Sequence, residues 1–314
     1  MALNYLHNHP DFPELIRIVG EENSMDPALI EKDYWIMHCL FGLQQTGMIF
    51  ELKGGTSLSK GYGIIHRFSE DIDLRIEPPP EIRVPIGHNQ DKPMQCQRRK
   101  EFYDWLTKEI KIEGIYDCQR DTIFDDKKYR SGGIRLLYKP LNTPLEGLKT
   151  GILLEVGFDD VTPNVPKDMT SWAYEYGASK VSVLDNRPKG VPCYHPGYTL
   201  VEKLQTISTK FRKQQKTATF SENFMRHYYD VYCLLQTPAV QSFIETEDYQ
   251  KHKKKRFRQE DNPVIRENEA FRLGDLTTRL EYKKAYKNSR NLYYKGQPEF
   301  DEILNLIQTY INKL

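Results

Sequence analysis

The chain has 314 residues, a net charge of +1, 39% hydrophobic and 28% charged residues. That length can bury a core without disulfide or metal staples, and its longest apolar runs, near Ile36 and Ile152, fall far short of the ~20 residues that span a bilayer. The near-neutral total hides an asymmetry: residues 1–190 carry 24 Lys and Arg against 29 Asp and Glu, a net −5, and the remainder carries 21 against 15, a net +6 that suits a polyanionic partner.

Met1 to Pro13 has no basic segment followed by an apolar one, so no secretory signal is read and a cytoplasmic location is expected. The five cysteines (Cys39, Cys96, Cys118, Cys193, Cys233) never form a CxxC pair and are read as reduced thiols. Apolar residues at three-to-four spacing predict helices over 11–22 and 27–45, the second opened by Ser24 or Asp26 as N-cap. Residues 48–53 (MIFELK) predict a strand, Gly54-Gly55 a turn, and 57–65 a helix. Asp71 to Ile76 alternates acidic and apolar side chains, and Pro78-Pro79-Pro80 ends that strand. A helix over 92–112 carries one buried stripe, Phe102, Trp105, Leu106 and Ile110. Strands follow at 132–139 and 151–158, with a further pair within 168–183. Beyond the Pro/Gly-rich stretch 187–197 the pattern is helical, at about 198–213, 221–236, 239–256, 276–288 and 298–313. The expected organisation is an α/β core over 1–190 and a helical domain over 191–314.

The chemistry concentrates in Lys53 to Leu74, KGGTSLSKGYGIIHRFSEDIDL. Alternation on a strand points Asp71 and Asp73 the same way, about 6 to 7 Å apart, with Ile72 and Leu74 toward the core. Two hard carboxylates on one face suit Mg²⁺, which recruits substrate phosphates to complete its octahedron. Gly54 and Gly55 let the backbone approach a bound group, and a helix starting near Thr56 or Ser57 offers free N–H groups to an anion, so a triphosphate fits there. Each part has an ordinary reading as well: a glycine pair is common turn chemistry, and an acidic alternation can be a solvated strand end. The combination in one stretch carries the argument. No GxxxxGK[ST] or GxGxxG is present, which removes the P-loop and dinucleotide folds.

Gly54-Gly55-Thr56 followed by Asp71-Ile72-Asp73-Leu74 resembles the signature of the polymerase-beta-like nucleotidyltransferases, and the fuller wording resembles the AbiEii/AbiGii toxin family. Glu31 to Trp35 (EKDYW) is similar to that family's N-terminal helix motif, and Glu202-Lys203-Leu204 with Arg226-His227-Tyr228-Tyr229-Asp230 is similar to its EKL and RDxxD helices. Fifteen residues separate Gly55 from Asp71, more than the common spacing, and His227 stands where the family often has Asp. The resemblance implies a mixed-sheet α/β nucleotidyltransferase core with an appended helical domain, the site lying between them. It also implies a third carboxylate on a later strand. Glu155 is placed for that role because Leu154 and Val156 would face the core, with Asp159 or Asp160 as the alternative.

The resemblance makes Lys203 a nucleotide or phosphate contact and Asp230 a catalytic or orienting residue. Without it, Arg226 and Asp230 are an i,i+4 pair of the kind usually found on a surface. Lys60, Arg67 and Ser69 flank the turn and the acidic strand and are candidates for phosphate oxygens, although Arg67 would equally neutralise Glu70 or Asp71. Lys251 to Arg258 holds six permanent cations in eight residues, and Lys283, Lys284, Lys287, Arg290 and Lys295 interleave with Tyr282, Tyr286, Tyr293 and Tyr294. That pattern suits RNA, or else a solvated helix face. The expected reaction is Mg²⁺-dependent transfer of a nucleoside monophosphate from an NTP to a hydroxyl. By resemblance the acceptor is RNA, plausibly the 3′ end of tRNA, and the setting is toxicity or abortive infection restrained by an antitoxin protein. An NTP-binding module without turnover and a protein AMPylase or UMPylase remain as alternatives.

Overall fold

Helix α1 (Phe12–Asn23) and helix α2 (Pro27–Gln45) open a computed structural model that describes residues 3–143, 145, 148–217, 220 and 224–314. The Asp26 carboxylate accepts the Ala28 N–H at 2.8 Å, and Pro27 fills a first-turn position whose N–H has no helical partner to lose. Helix α2 is buried almost all round, through Leu29, Ile30, Tyr34, Ile36, Leu40 and Leu43, as befits a helix without a polar face. Its charged exceptions, Glu31, Lys32 and Asp33, are buried too, so each must have a partner.

The first compact unit comprises Met1–Tyr62 and Ser69–Tyr194, and the second Gly63–Phe68 and His195–Leu314. Seven strands form one mixed sheet in the first: β1 (Phe50–Lys53), β2 (Asp71–Ile76), β3 (Ile115–Asp121), β4 (Ser131–Tyr138), β5 (Ile152–Gly157), β6 (Asn164–Lys167) and β7 (Val191–Tyr194), in the order β3-β4-β5-β2-β1-β7-β6. Strand β2 runs antiparallel to β1 and parallel to β5. Leu52, Ile72, Leu74, Leu154 and Val156 are all at 0% exposure, so each contributes close to the full ~1.5–3 kcal/mol of a buried aliphatic side chain. That burial fixes the register, because a slip of one residue would turn every acidic side chain of β2 into the core.

Helical elements of this unit are α3 (Gly54–Thr56), which runs into a wide π turn over Ser57–Gly61, α4 (Pro93–Glu109) and α5 (Trp172–Ala178). Two expectations change here. The helix after the glycine pair starts at Gly54 and ends at Gly61 rather than spanning 57–65. The strand pair expected within 168–183 is instead α5, capped by the Ser171 hydroxyl, which accepts the Tyr174 N–H at 3.1 Å. Trp172, Tyr174 and Tyr176 mimic a strand's period of two, but Ala173, Tyr174 and Gly177 form the buried face of a helix.

The second unit holds α6 (Pro196–Thr217), α7 (Arg226–Leu235), α8 (Pro238–Ile244), α9 (Glu247–Arg256), α10 (Glu269–Arg272), α11 (Leu276–Asn288) and α12 (Phe300–Tyr310). The helix expected over 239–256 breaks in two because Thr246 caps α9 by accepting the Tyr249 N–H at 3.2 Å. Of the helix expected over 221–236, residues 221–223 lie outside the described residues. Residues 66–68 pair with 292–294: Phe68 N–H donates to Leu292 at 2.7 Å and Tyr294 N–H to His66 at 3.1 Å. No helix among the described residues is long and apolar enough to cross a membrane.

Candidate active site

Strand β1 ends at Lys53, opposite Asp73 of β2, and the chain then turns at Gly54 with φ of +72°. A Cβ at Gly54 would lie 1.9 Å from the Asp73 carboxylate oxygen, so only glycine lets the turn close over that side chain. The Thr56 hydroxyl donates to the Asp71 backbone carbonyl at 2.5 Å and ties the turn to the first carboxylate's own backbone. Gly55, Thr56 and Ser57 are buried. Gly54→Ala is therefore expected to cost about 1–2 kcal/mol in backbone strain and to displace Asp73. Urea unfolding and a divalent-ion titration check this, and wild-type ion affinity in the variant would show that Asp73 had not moved.

Asp71 and Asp73 share one face of β2, and Glu155 of β5 stands level with Asp73 in the parallel register. Leu154 and Val156 on either side of Glu155 are fully buried. Burial first, then the charges of Asp73 and Asp71, push the Glu155 carboxyl up to about 7, with Lys149 and Lys53 opposing. Asp159 and Asp160 fall beyond the end of β5, where the Asp160 carboxylate accepts the Thr162 N–H at 3.1 Å in a turn.

As the side chains stand, no three His, Cys, Asp or Glu residues among those described converge closely enough to hold an ion. The donor chemistry nonetheless fits Mg²⁺: three carboxylates from adjacent strands, one of them raised first by burial and then by the negative charge of the other two. A group whose folded pKa is raised binds its proton more tightly folded than unfolded. Stability therefore falls as pH rises from the ordinary glutamate value of ~4.3 toward 7. Glu155→Gln should remove that penalty, raising the melting temperature of ion-free protein at pH 8 and weakening divalent-ion binding more than nucleotide binding. A Gln variant with unchanged ion affinity would take Glu155 out of the ligand set.

One cation at this site had no signal in the sequence. The Lys149 ammonium lies 2.7 and 2.9 Å from the two Asp71 carboxylate oxygens. It belongs to a connection between strands with no periodicity, and only its position in space gives it meaning. Lys60, expected near phosphate, is committed elsewhere: its ammonium is 2.7 Å from the buried Asp33 carboxylate and 3.8 Å above the Trp172 ring. Ser69 is half-buried immediately ahead of Glu70.

Arg67, Lys203 and Asp230 come together within the second unit. Asp230 on α7 is fully buried and accepts both Nε and Nη2 of Arg67 at 2.7 Å, with the Lys203 ammonium 2.9 Å away. Burial alone would raise this carboxyl, but Arg67 and Lys203 overcome it and hold it well below the usual aspartate range. Asp230 is therefore not half of an ordinary surface pair with Arg226, and Arg67 serves Asp230 rather than Glu70 or Asp71. Burial, then Lys203 and Lys210, hold the His227 imidazole far below its ordinary pKa, so it is neutral.

The basic run is partly consumed. Lys251 lies 3.2 Å from Glu247, Lys253 donates to the Leu314 carbonyl oxygen, and Arg256 lies 3.5 Å from Glu202. Tyr282, Tyr286 and Tyr293 are buried and pack edge-on or tilted against aromatic neighbours such as Phe224, Phe300 and Tyr229. Those three rings are core and present no face to RNA bases, which corrects the expectation from their interleaving with lysines. An open groove lined by Lys253, Lys254, Phe257 and Arg258 remains on this element.

The strand, glycine turn and helix lead into a strand with two carboxylates, and its parallel neighbour carries a third, the arrangement expected from the resemblance to nucleotidyltransferases. The chain belongs to the family described as nucleotidyl transferase AbiEii toxin, type IV TA system, whose model matches residues 36–306. Membership makes it a nucleotidyltransferase of a toxin–antitoxin system and implies a nucleotide substrate and a cognate antitoxin. Among solved structures it is similar to MenT4, a nucleotidyltransferase toxin from Mycobacterium tuberculosis H37Rv, at 14% identity and a TM-score of 0.41 over 86% of this chain and 97% of that one. It is also similar to an antigenic nucleotidyltransferase-like protein from Paracoccidioides brasiliensis, at 13% identity and a TM-score of 0.31 over 73% and 94%. No curated protein matches.

Proposed function

We propose that the protein transfers a nucleoside monophosphate from an NTP to a hydroxyl of RNA, with pyrophosphate leaving, in a Mg²⁺-dependent reaction. The observation that carries this reading is the register that sets Glu155 level with Asp73, with Asp71 on the same face of β2 and Glu155 pushed up to about 7. These three residues would hold Mg²⁺, which when bound neutralises a triphosphate and acidifies an attacking hydroxyl. Gly54, having no side chain, lets the turn close directly over the Asp73 carboxylate. Glu155 would either hold the ion or, where it does not, take up the hydroxyl proton. Lys203, oriented by Asp230, has the charge to offset what develops on phosphate oxygens.

The exposed Lys254 and Arg258 of the groove and the +6 balance of residues 191–314 favour a polyanionic acceptor. The 3′ end of tRNA is the acceptor implied by the family resemblance, and the setting is cytoplasmic toxicity or abortive infection held in check by the antitoxin. The test incubates purified protein with each α-labelled NTP, Mg²⁺ and total tRNA or cell extract, with Asp73→Ala alongside. Label in RNA with wild type alone supports the reading, and label in protein alone would replace RNA with a protein acceptor. Binding of NTP with no labelled product would reduce the protein to a nucleotide-binding module.

A further inference from the structure

The charged residues at the start of the EKDYW motif are buried in α2, and two of them hold the connection between β4 and β5. Glu31 pins the early part: its carboxylate accepts the Leu141 N–H at 2.8 Å, the Asn142 N–H at 3.2 Å and the Asn142 side-chain amide at 2.9 Å. Lys32 pins the later part. Its ammonium donates to the Lys149 carbonyl and lies 3.2 Å from the Glu70 carboxylate, which in turn accepts the Lys149 N–H at 2.9 Å. Lys32 and Glu70 are only 3% and 6% exposed, so their pairing carries a large desolvation cost. What that costly pair fixes is the backbone of one residue. The residue's side chain then reaches both oxygens of Asp71, with its ammonium 4.9 Å from the centre of the Phe124 ring.

We propose that Lys149 is a substrate-binding residue of this site, its ammonium balancing Asp71 in the ion-free protein and turning to the triphosphate oxygens of the nucleotide once a divalent ion takes its place. This rests on the nucleotidyl-transfer reading given above. Lysine suits the task because its charge is compact and its stem flexible, with three rotatable donors, so one backbone position serves two acceptors. The side chain is a quarter exposed. A lysine that served only the fold would stabilise Asp71 and do nothing for nucleotide.

The two roles predict opposite signs for two affinities. Mn²⁺ alone, titrated by the paramagnetic resonance of the free ion, should bind Lys149→Met about three- to tenfold more tightly than wild type, because the competing ammonium is gone. The four NTPs, titrated calorimetrically in Ca²⁺ so that no turnover intervenes, should bind that variant at least about tenfold more weakly, the loss of one charge-assisted contact. Lys149→Arg keeps the cation and should hold NTP affinity within about threefold of wild type. Should the Met variant fail to fold, Lys149→Gln is read for the same two affinities. Unchanged NTP affinity in the uncharged variant, or weaker Mn²⁺ binding, overturns the proposal for Lys149 while wild type still binds both ligands. A wild-type protein that binds neither Mn²⁺ nor NTP overturns the site reading itself, and this proposal with it.

Discussion

Asp73→Ala is expected to reduce nucleotide transfer by at least about a thousandfold, the equivalent of losing ~4 kcal/mol of transition-state charge stabilisation, while leaving the fold intact. The two halves of that expectation have one cause. Asp73 adds, after burial, to the field that raises the Glu155 carboxyl, so removing its charge relieves that repulsion in the ion-free protein. Removing it should bring Glu155 back toward its ordinary range and leave the melting temperature of ion-free protein equal or higher. Asp71→Ala should be as inactive, but it also strands the Lys149 ammonium, so its melting temperature should not rise. Transfer by either variant at the wild-type rate would place the chemistry elsewhere. The stability measurement shows that a lost rate is not a lost fold.

The second large effect is on stability. Asp230→Ala should cost about 3–5 kcal/mol, since it leaves the Arg67 guanidinium, 4% exposed, without its bidentate partner. The wild-type pair also sets a pH window. Asp230 has a depressed folded pKa, so its contribution is fully present above the unfolded aspartate value of ~3.9 and is lost as pH falls below it. Urea midpoints should therefore drop more steeply below pH 4 in wild type than in Asp230→Asn. A compensating pair, Arg67→Met with Asp230→Leu, should regain much of the stability, because apolar replacements of a buried ion pair are often neutral. It leaves the Lys203 ammonium without the carboxylate it pairs with. A single Asp230→Ala variant within 1 kcal/mol of wild type would mean that water or another group reaches Arg67.

The sequence is most legible where a period and a polarity change coincide. Alternation of Asp71 and Asp73 with Ile72 and Leu74 reads directly as a half-buried strand, and ILLEVGF places Glu155 by the same logic. Both depend only on side chains next to one another in the chain. Strand β3 was not legible, because an edge strand paired only to β4 has no buried face to enforce alternation. The four-residue strands β6 and β7 pair Pro166 with Pro192 and look like loop. Lys149, the Lys60–Asp33 pair and the Arg67–Asp230 pair were illegible for a different reason: they join residues 78, 27 and 163 positions apart, and no local pattern encodes a partner at that distance. The motif EKDYW stood out without revealing its task, which is to hold other segments in place.

The short excursion Gly63–Phe68 has a consequence for the order of assembly. These six residues leave the ribosome early, yet the backbone groups they bond, at Leu292 and Tyr294, are synthesised more than 220 residues later. At ~5–20 residues per second that interval is roughly 10–45 s, and Asp230, the carboxylate that Arg67 meets in the folded protein, is itself synthesised 163 residues after it. The helical unit therefore cannot complete itself from contiguous sequence. A fragment beginning at His195 would bury Asp230 without its guanidinium, and adding a peptide covering residues 63–68 in trans should rescue its folding.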